Sequence, residues 1–185
     1  MKRLWLYALA TILIAGPLGI GCSKKESKIR VATDATWPPF EFVNEQTKKV
    51  DGFSIEMMNA VAKKAGIEIE YSNVAFDPLL AGIAKCQFDA AVSSMTITED
   101  RKKSMGFSDP YFAAGQVVTV RFNNTDIANK NTLAGKTAGA QIGTTGAIEI
   151  GKLQGAELKT YDDVSLAFQD LINGQIDAVV ADNPV

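Results

Sequence analysis

The stretch Ile83-Ala84-Lys85-Cys86-Gln87-Phe88-Asp89-Ala90-Ala91-Val92 returns in kind further along the chain as Leu171-Ile172-Asn173-Gly174-Gln175-Ile176-Asp177-Ala178-Val179-Val180. In both copies a helical pattern ends, a Gln-apolar-Asp-Ala turn follows, and an apolar strand runs out of it. Two readings of the echo are open. Helix-turn-strand units converge on such sequences by themselves, or the chain holds two similar α/β lobes. The second reading sets Ser93-Ser94 and Ala181-Asp182 at equivalent strand ends facing one shared cleft. Ligands of open α/β sheets bind beyond the carboxyl ends of strands, so the candidate site lies there.

Outward from the first copy, Lys28 to Thr33 alternates as a strand ending at Asp34, and Trp37-Pro38-Pro39-Phe40 forces a rigid extended turn. Asp34 and Trp37 are thereby placed on a loop at a strand's C-terminal end. Ser54 is expected to cap a helix with Ile55, Met58, Val61, Ala62 and Ala65 at helical spacing and Gly66 as its stop. Ile67 to Tyr71 follows as a strand, Pro78 to about Lys85 as a short helix, Phe88 to Val92 as a strand and Thr98 to Ser104 as a charged helical turn. Around the second copy, Val117–Val120, Lys136–Ala140, Leu158–Tyr161 and Asp177–Ala181 read as strands. Helices over Gly143–Leu153 and from Val164 to Ile172 lie between them, the latter stopped by Asn173-Gly174. The class is α/β, with sheets flanked by helices.

Composition narrows the chemistry. The chain has 185 residues, 19 basic and 21 acidic, and no histidine. So small a net charge gives no footprint for nucleic acid. Without histidine no His-based triad and no His-ligated zinc site can be written, so any catalysis would rest on carboxylates, hydroxyls or lysines. The two cysteines, Cys22 and Cys86, are too few for a disulfide scaffold.

The N-terminus reads as an address. Met1-Lys2-Arg3 is a basic head, Leu4 to Leu18 is uncharged and apolar, and Gly21-Cys22 follows. The run is short for a permanent membrane helix and fits a secretory signal. It resembles a bacterial lipoprotein signal over residues 1–21 with Cys22 as the lipidated residue, although Gly19 stands where such signals usually carry Leu. Ordinary cleavage and a retained anchor are the alternatives. Residues 22–28 are polar and read as a flexible tether. Lipidation of Cys22 would leave Cys86 as a lone thiol. Removing residues 1–21 takes away two basic residues and no acidic one, leaving a modestly acidic domain beside a membrane.

The matched blocks are Val31-Ala32-Thr33-Asp34-Ala35-Thr36-Trp37-Pro38-Pro39-Phe40-Glu41-Phe42, Val50-Asp51-Gly52-Phe53, Ala91-Val92-Ser93-Ser94-Met95-Thr96-Ile97-Thr98-Glu99-Asp100-Arg101 and Phe107-Ser108-Asp109-Pro110-Tyr111. With Gln141-Ile142-Gly143-Thr144-Thr145-Gly146 and Asp177-Ala178-Val179-Val180-Ala181-Asp182, they resemble the polar amino-acid substrate-binding proteins of bacterial ABC importers. The resemblance implies a two-lobed periplasmic-binding-protein fold: lobe one over 29–117, lobe two over 118–185, and a hinge strand near Val117–Arg121. It implies an exported receptor on the outer face of the membrane or in the periplasm. Such a receptor closes its lobes on a free amino acid and docks on the transmembrane subunits of a permease. No cofactor and no metal are implied.

The implied site has a physical logic. A free amino acid carries an anion and a cation on one carbon. Arg101 offers a planar fork for the carboxylate, joined by the N–H groups of Thr96 and Thr145 and by the N-terminal amides of the helix that Thr145 opens. Asp182, the Ser93 carbonyl and the Thr96 hydroxyl match acceptors for the ammonium, and the echo sets Asp182 opposite Ser94. Trp37 and Phe76 correspond to aromatic walls around the side chain; Trp37, before two prolines, is poorly placed for burial in a regular element. Asp34 corresponds to a position at the side-chain head, with Gln141 across the cleft. That pair suits glutamine, arginine, lysine or histidine and disfavours aspartate or glutamate by like charge.

Two rivals stand beside this reading. Exported dehydratases of the same fold use a cleft carboxylate as general acid, for which Glu41 and Asp34 are the candidates. A periplasmic sensor module is the other, with no transmembrane or signalling segment following. The resembling family returns to lobe one through a second hinge after Asp182, whereas this sequence ends at Val185. Lobe one is accordingly expected to lack its closing segment, to expose apolar surface and to be poorly stable.

Overall fold

The computed structural model describes residues 28–183. The signal segment, Cys22 and nearly all of the tether lie outside the described residues. The chain runs β1 (Ile29–Thr33), β2 (Thr36–Trp37), β3 (Glu41–Val43), β4 (Val50–Asp51), α1 (Phe53–Ala65), β5 (Ile69–Asn73), α2 (Phe76–Ala84), β6 (Ala90–Ala91) and α3 (Glu99–Lys102). It continues through β7 (Gln116–Val120), a 3-10 turn at Lys130–Leu133, β8 (Thr137–Gln141), α4 (Thr145–Gly151), β9 (Glu157–Tyr161), α5 (Val164–Ile172) and β10 (Ala178–Asp182).

The echo is structural. The first lobe is a parallel sheet of order β5-β1-β6, and the second holds the parallel core β9-β8-β10 in the same arrangement. In each copy the aspartate of the turn pins the central strand. Asp89 Oδ2 accepts from the Arg30 amide at 2.9 Å while the Asp89 amide donates to the Arg30 carbonyl at 3.0 Å. Asp177 does the same to Thr137, at 2.9 and 2.8 Å. One aspartate thus closes two hydrogen bonds at a strand's start, its carboxylate accepting from the strand's amide and its own amide donating to the strand's carbonyl, which is why the Gln-apolar-Asp-Ala pattern recurs. The second sheet adds β7, antiparallel to β10, with Gln116 opposite Asp182 and Val120 opposite Ala178.

Burial follows from two-sided covering. α4 and α5 both pack on β8, whose Ala138 and Ala140 are fully buried. Ala138 and Ala140 let α4 approach one face, and Gly139, where a Cβ would crowd Ala167 and Ile176, lets α5 approach the other. Leu133, Ile150 and Val180 fill the α4 side, and Val164, Leu171, Ile176 and Val179 the α5 side. Each contributes about 1.5–3 kcal/mol of apolar burial. The first lobe centres on Val31, Ile55 and Val92. An apolar groove of about 1260 Å³ runs past β6, lined among others by Met58, Val61, Ile83, Phe88 and Phe107.

Several expected boundaries move for local reasons. Ser54 does not cap α1: Gly52 is the N-cap, at φ 118, where a Cβ would collide with the Phe40 carbonyl. The strand expected from Ile67 begins at Ile69, because Gly66 turns left-handed and the Ile67 amide is spent closing α1 on the Ala62 carbonyl at 3.1 Å. The helix expected from Pro78 already starts at Phe76. The strand expected over Phe88–Val92 pairs only at Ala90–Ala91. The small antiparallel sheet β2-β3-β4 went unforeseen, its strands being too short to show a period.

Trp37 is the main correction. It lies in β2, is 7% exposed, and packs into the α5-side core of the second lobe. The loop after β1 carries it there, so the residue expected to be poorly placed for burial is buried between lobes.

Candidate functional site

The expected strand ends meet. A small cavity is lined by Trp37, Phe76, Ser93, Ser94, Thr96, Arg101, Thr144, Thr145 and Asp182, residues from both lobes. Asp34 and Gln141 stand beside it rather than in its lining, both about 1% exposed.

The first-lobe wall comes from the ends of β1 and β6. The Asp34 amide donates to Ser93 Oγ at 2.9 Å, tying the two strand ends together. Ser94 then takes φ 44, a left-handed turn that throws the chain toward Thr96. Thr98 caps α3 by accepting from the Arg101 amide at 3.2 Å, and this short turn aims the Arg101 side chain back at the cleft. Its guanidinium donates to the Thr96 carbonyl at 2.7 Å and, across the cleft, to the Gly143 carbonyl at 2.8 Å. The same guanidinium lies 5.4 Å over the Phe76 ring.

The second-lobe wall comes from β10 and the start of α4. Thr144 caps α4, accepting from the Ala147 amide at 3.3 Å. α4 spans seven residues, narrower than the expected Gly143–Leu153, so its anion preference reduces to the amides of its first turn. Thr96 Oγ1 sits 3.3 Å from Thr145 Oγ1 and donates to Asp182 at 3.4 Å.

A second network fixes the far end. Trp37 Nε1 donates to Gln141 Oε1 at 2.6 Å, and Gln141 Nε2 donates to Asp34 Oδ2 at 2.7 Å and to the Asp162 carbonyl at 2.7 Å. Thr36 donates to the other Asp34 oxygen at 3.0 Å. Gln141 therefore links the lobes at the position expected across from Asp34.

Burial dominates the electrostatics. It pushes the Asp34 carboxyl up, against hydrogen bonds from Gln141 and Thr36, with Asp163 adding to the rise. It pushes Asp182 up against the pull of Thr96 and Arg101, and it draws Arg101 down while Asp182 holds it up. Arg101 and Asp182 are opposite charges sharing one cavity, yet the guanidinium donates to carbonyls rather than to the carboxylate. Each charge keeps its own desolvation cost, which a zwitterion placed between them would relieve.

Two contributors were not foreseen, Thr144 in the cavity lining and Gln116 behind it. Gln116, at the start of β7, donates to Thr145 Oγ1 at 2.9 Å and also hydrogen-bonds Asp182 Oδ1. Its place follows from the antiparallel register of β7 on β10, which the sequence pattern does not encode.

With this geometry, residues 29–183 match the family model of bacterial extracellular solute-binding proteins, family 3. The chain belongs to that family. Among its relatives is a probable histidine-binding protein of Neisseria gonorrhoeae, 35% identical over 84% of this chain and 59% of its own length. ABC transporter arginine-binding protein 1 of Escherichia coli K12 is 36% identical over the whole chain and 73% of its own length. Among solved structures, an ancestral arginine-binding protein bound to arginine superposes with a TM-score of 0.82 at 42% identity, covering 85% of this chain and 71% of that one. This family 3 chain spans about three fifths of the length of its histidine-binding relatives. The two-lobed α/β fold is that of the family.

Proposed function

We propose that this family 3 chain is an extracytoplasmic receptor that closes on a polar L-amino acid with a donor-bearing side chain, of the arginine, lysine, histidine or glutamine class, and delivers it to the membrane subunits of an ABC permease. The observation that carries the reading is the pairing, in one cleft, of a guanidinium and a carboxylate that do not bond each other. Arg101, helped by the amides near Thr145, takes the ligand carboxylate. Asp182, the Ser93 carbonyl and the Thr96 hydroxyl take the ammonium, and Ser94 shapes that wall. Trp37 and Phe76 flank the side chain, and the Asp34–Gln141 pair reads its head. The relatives' names, histidine- and arginine-binding, agree with an acidic reader for a cationic head.

Lobe one is taken as residues 29–117 and lobe two as 118–185, with the strand over 117–121 as one hinge. A ligand that touches Arg101 and Ser93 on one side and Thr145 and Asp182 on the other favours the closed state by its extra contacts there. The work done in this reading is binding: the cleft offers a guanidinium and a carboxylate matched to the two charges of a free amino acid. Export through residues 1–21 and lipid anchoring at Cys22 complete the reading.

Thermal unfolding in the presence of each of the twenty amino acids tests it. A ligand at a hundred times its dissociation constant adds about 2.7 kcal/mol of stability. Arg101→Ala and Asp182→Ala should each abolish the response. A chain that melts cooperatively and responds to none of the twenty refutes the reading.

A further inference from the structure

One buried polar cluster has no part in the contacts described above. Glu41, the first residue of β3, is 0% exposed, and among the described residues neither of its carboxyl oxygens makes a hydrogen bond of ordinary geometry. The hydroxyls of Ser94 and Thr33 are buried and unpartnered as well. Ser94 belongs to the lining of the ligand cavity. On the other side, Ser54 Oγ lies 3.4 Å from Tyr111 OH, and Tyr111 is 40% exposed. Glu41 feels both the Ser94 and the Ser54 hydroxyl. The carboxyl therefore stands between the cleft wall and a pair of hydroxyls that ends in solvent.

An ionised carboxylate with only poorly placed donors is costly in such a place, and burial pushes Glu41 up to about 7, offset only in part by the nearby Ser94 and Ser54 hydroxyls. The charged group acting on it is Asp34, at the end of β1, which adds to the rise. From β4, Asp51 is instead engaged with Asn44 and the Gly52 amide. α1 presents Ser54, β2 presents Thr36, already bonded to Asp34, and the segment before β7 presents the Tyr111 phenol.

We propose that Glu41 is a proton-exchange site beneath the cleft, through which amino-acid binding is coupled to release of a proton. The proposal rests on the receptor reading above. A ligand ammonium held at Ser93 and Asp182 brings a positive charge beside Ser94, and a cationic head at Asp34 cancels the charge that disfavours the carboxylate. Both favour ionised Glu41. For the proton to leave, Ser54 must turn to Glu41; its Oγ then accepts the Glu41 proton as Ser54 passes its own to Tyr111, 3.4 Å away, and Tyr111 passes its own to water, so both hydroxyls end unchanged.

Calorimetry of arginine binding in buffers of different ionisation enthalpy counts the protons released. If the ligand weakens the proton's hold on Glu41 tenfold, binding midway between the two titrations releases about half a proton, and Kd falls by up to about tenfold from acid to alkaline pH. In Glu41→Gln that proton count and that pH dependence should vanish, while whatever Asp34 and Asp182 contribute persists. Equal proton release in both proteins, or none in the wild type, overturns the proposal. If no amino acid binds, the receptor reading fails by itself, and the ligand-free protein still decides the proton site. Its infrared spectrum should show a protonated-carboxyl band that titrates near neutrality and is missing in Glu41→Gln. Absence of that band in the wild type overturns the proposal.

Discussion

Glu41→Gln exchanges a buried carboxyl for an amide of nearly the same shape, and its effect on stability should depend on pH in a defined direction. The wild-type carboxyl is raised from the ordinary 4.5 to about 7. The folded chain therefore holds this proton more tightly than the unfolded chain does. Below the ordinary value both states are protonated and the folded state enjoys the full benefit. Between 4.5 and about 7 the unfolded chain has released the proton while the fold retains it, so each rise in pH withdraws stability; above about 7 the fold carries a desolvated carboxylate. At 1.36 kcal/mol per tenfold change in proton affinity, the withdrawal amounts to about 3 kcal/mol. Glutamine has no such dependence. Urea denaturation of both proteins between about pH 4.5 and pH 8, followed by Trp37 fluorescence, should show the variant gaining on the wild type by about 3 kcal/mol across that range. Asp34 and Asp182 are also raised but are common to both proteins, so apart from the coupling of Asp34 to Glu41 they cancel in the difference. A difference that stays constant with pH refutes the reasoning, since Glu41 would then titrate as an exposed carboxyl does.

Three further perturbations bear on other links. In Gly146→Ala the new Cβ would stand 2.5 Å from the Val180 carbonyl, a backbone atom that cannot rotate away; the start of α4 should be pushed off β10, lowering stability by about 1–3 kcal/mol in a thermal melt and weakening ligand response through Thr145. Gln141→Leu removes the amide that joins Trp37 to Asp34 and leaves a buried carboxyl short of a donor, which should cost about 1–3 kcal/mol and shift Trp37 fluorescence. Asp177→Ala removes the acceptor of the Thr137 amide, so hydrogen exchange there should quicken while the Arg30 amide, pinned by Asp89, is unchanged.

Much of this was legible along the chain because it is local. The echoed turns, the helix from Val164 to Ile172 and the alternation before Asp34 are short-range patterns, and the folded lobes repeat them with the same strand order. The candidate site residues were legible through the family resemblance, and because strand ends and one capped turn carry them, Ser93, Thr96, Arg101, Thr145 and Asp182 line one cavity. What escaped is tertiary. Trp37 is buried by side chains more than a hundred residues away, a contact no local pattern encodes. Gln116 reaches Asp182 through a strand register, and Arg101 spends one of its two forks on the Gly143 carbonyl of the opposite lobe. The isolation of Glu41 is likewise a product of packing, since nothing in Phe40-Glu41-Phe42 distinguishes a buried carboxyl from an exposed one.

Receptor function turns on Arg101 and Asp182 holding an amino acid between the lobes. Isothermal titration of the wild-type and Asp182→Ala chains with L-arginine, L-lysine, L-histidine and L-glutamine tests it most directly. Saturable one-to-one binding of at least one of the four, lost in the variant, is the expected result. A folded wild-type chain that binds none of them, or an Asp182→Ala chain that binds as the wild type does, contradicts it.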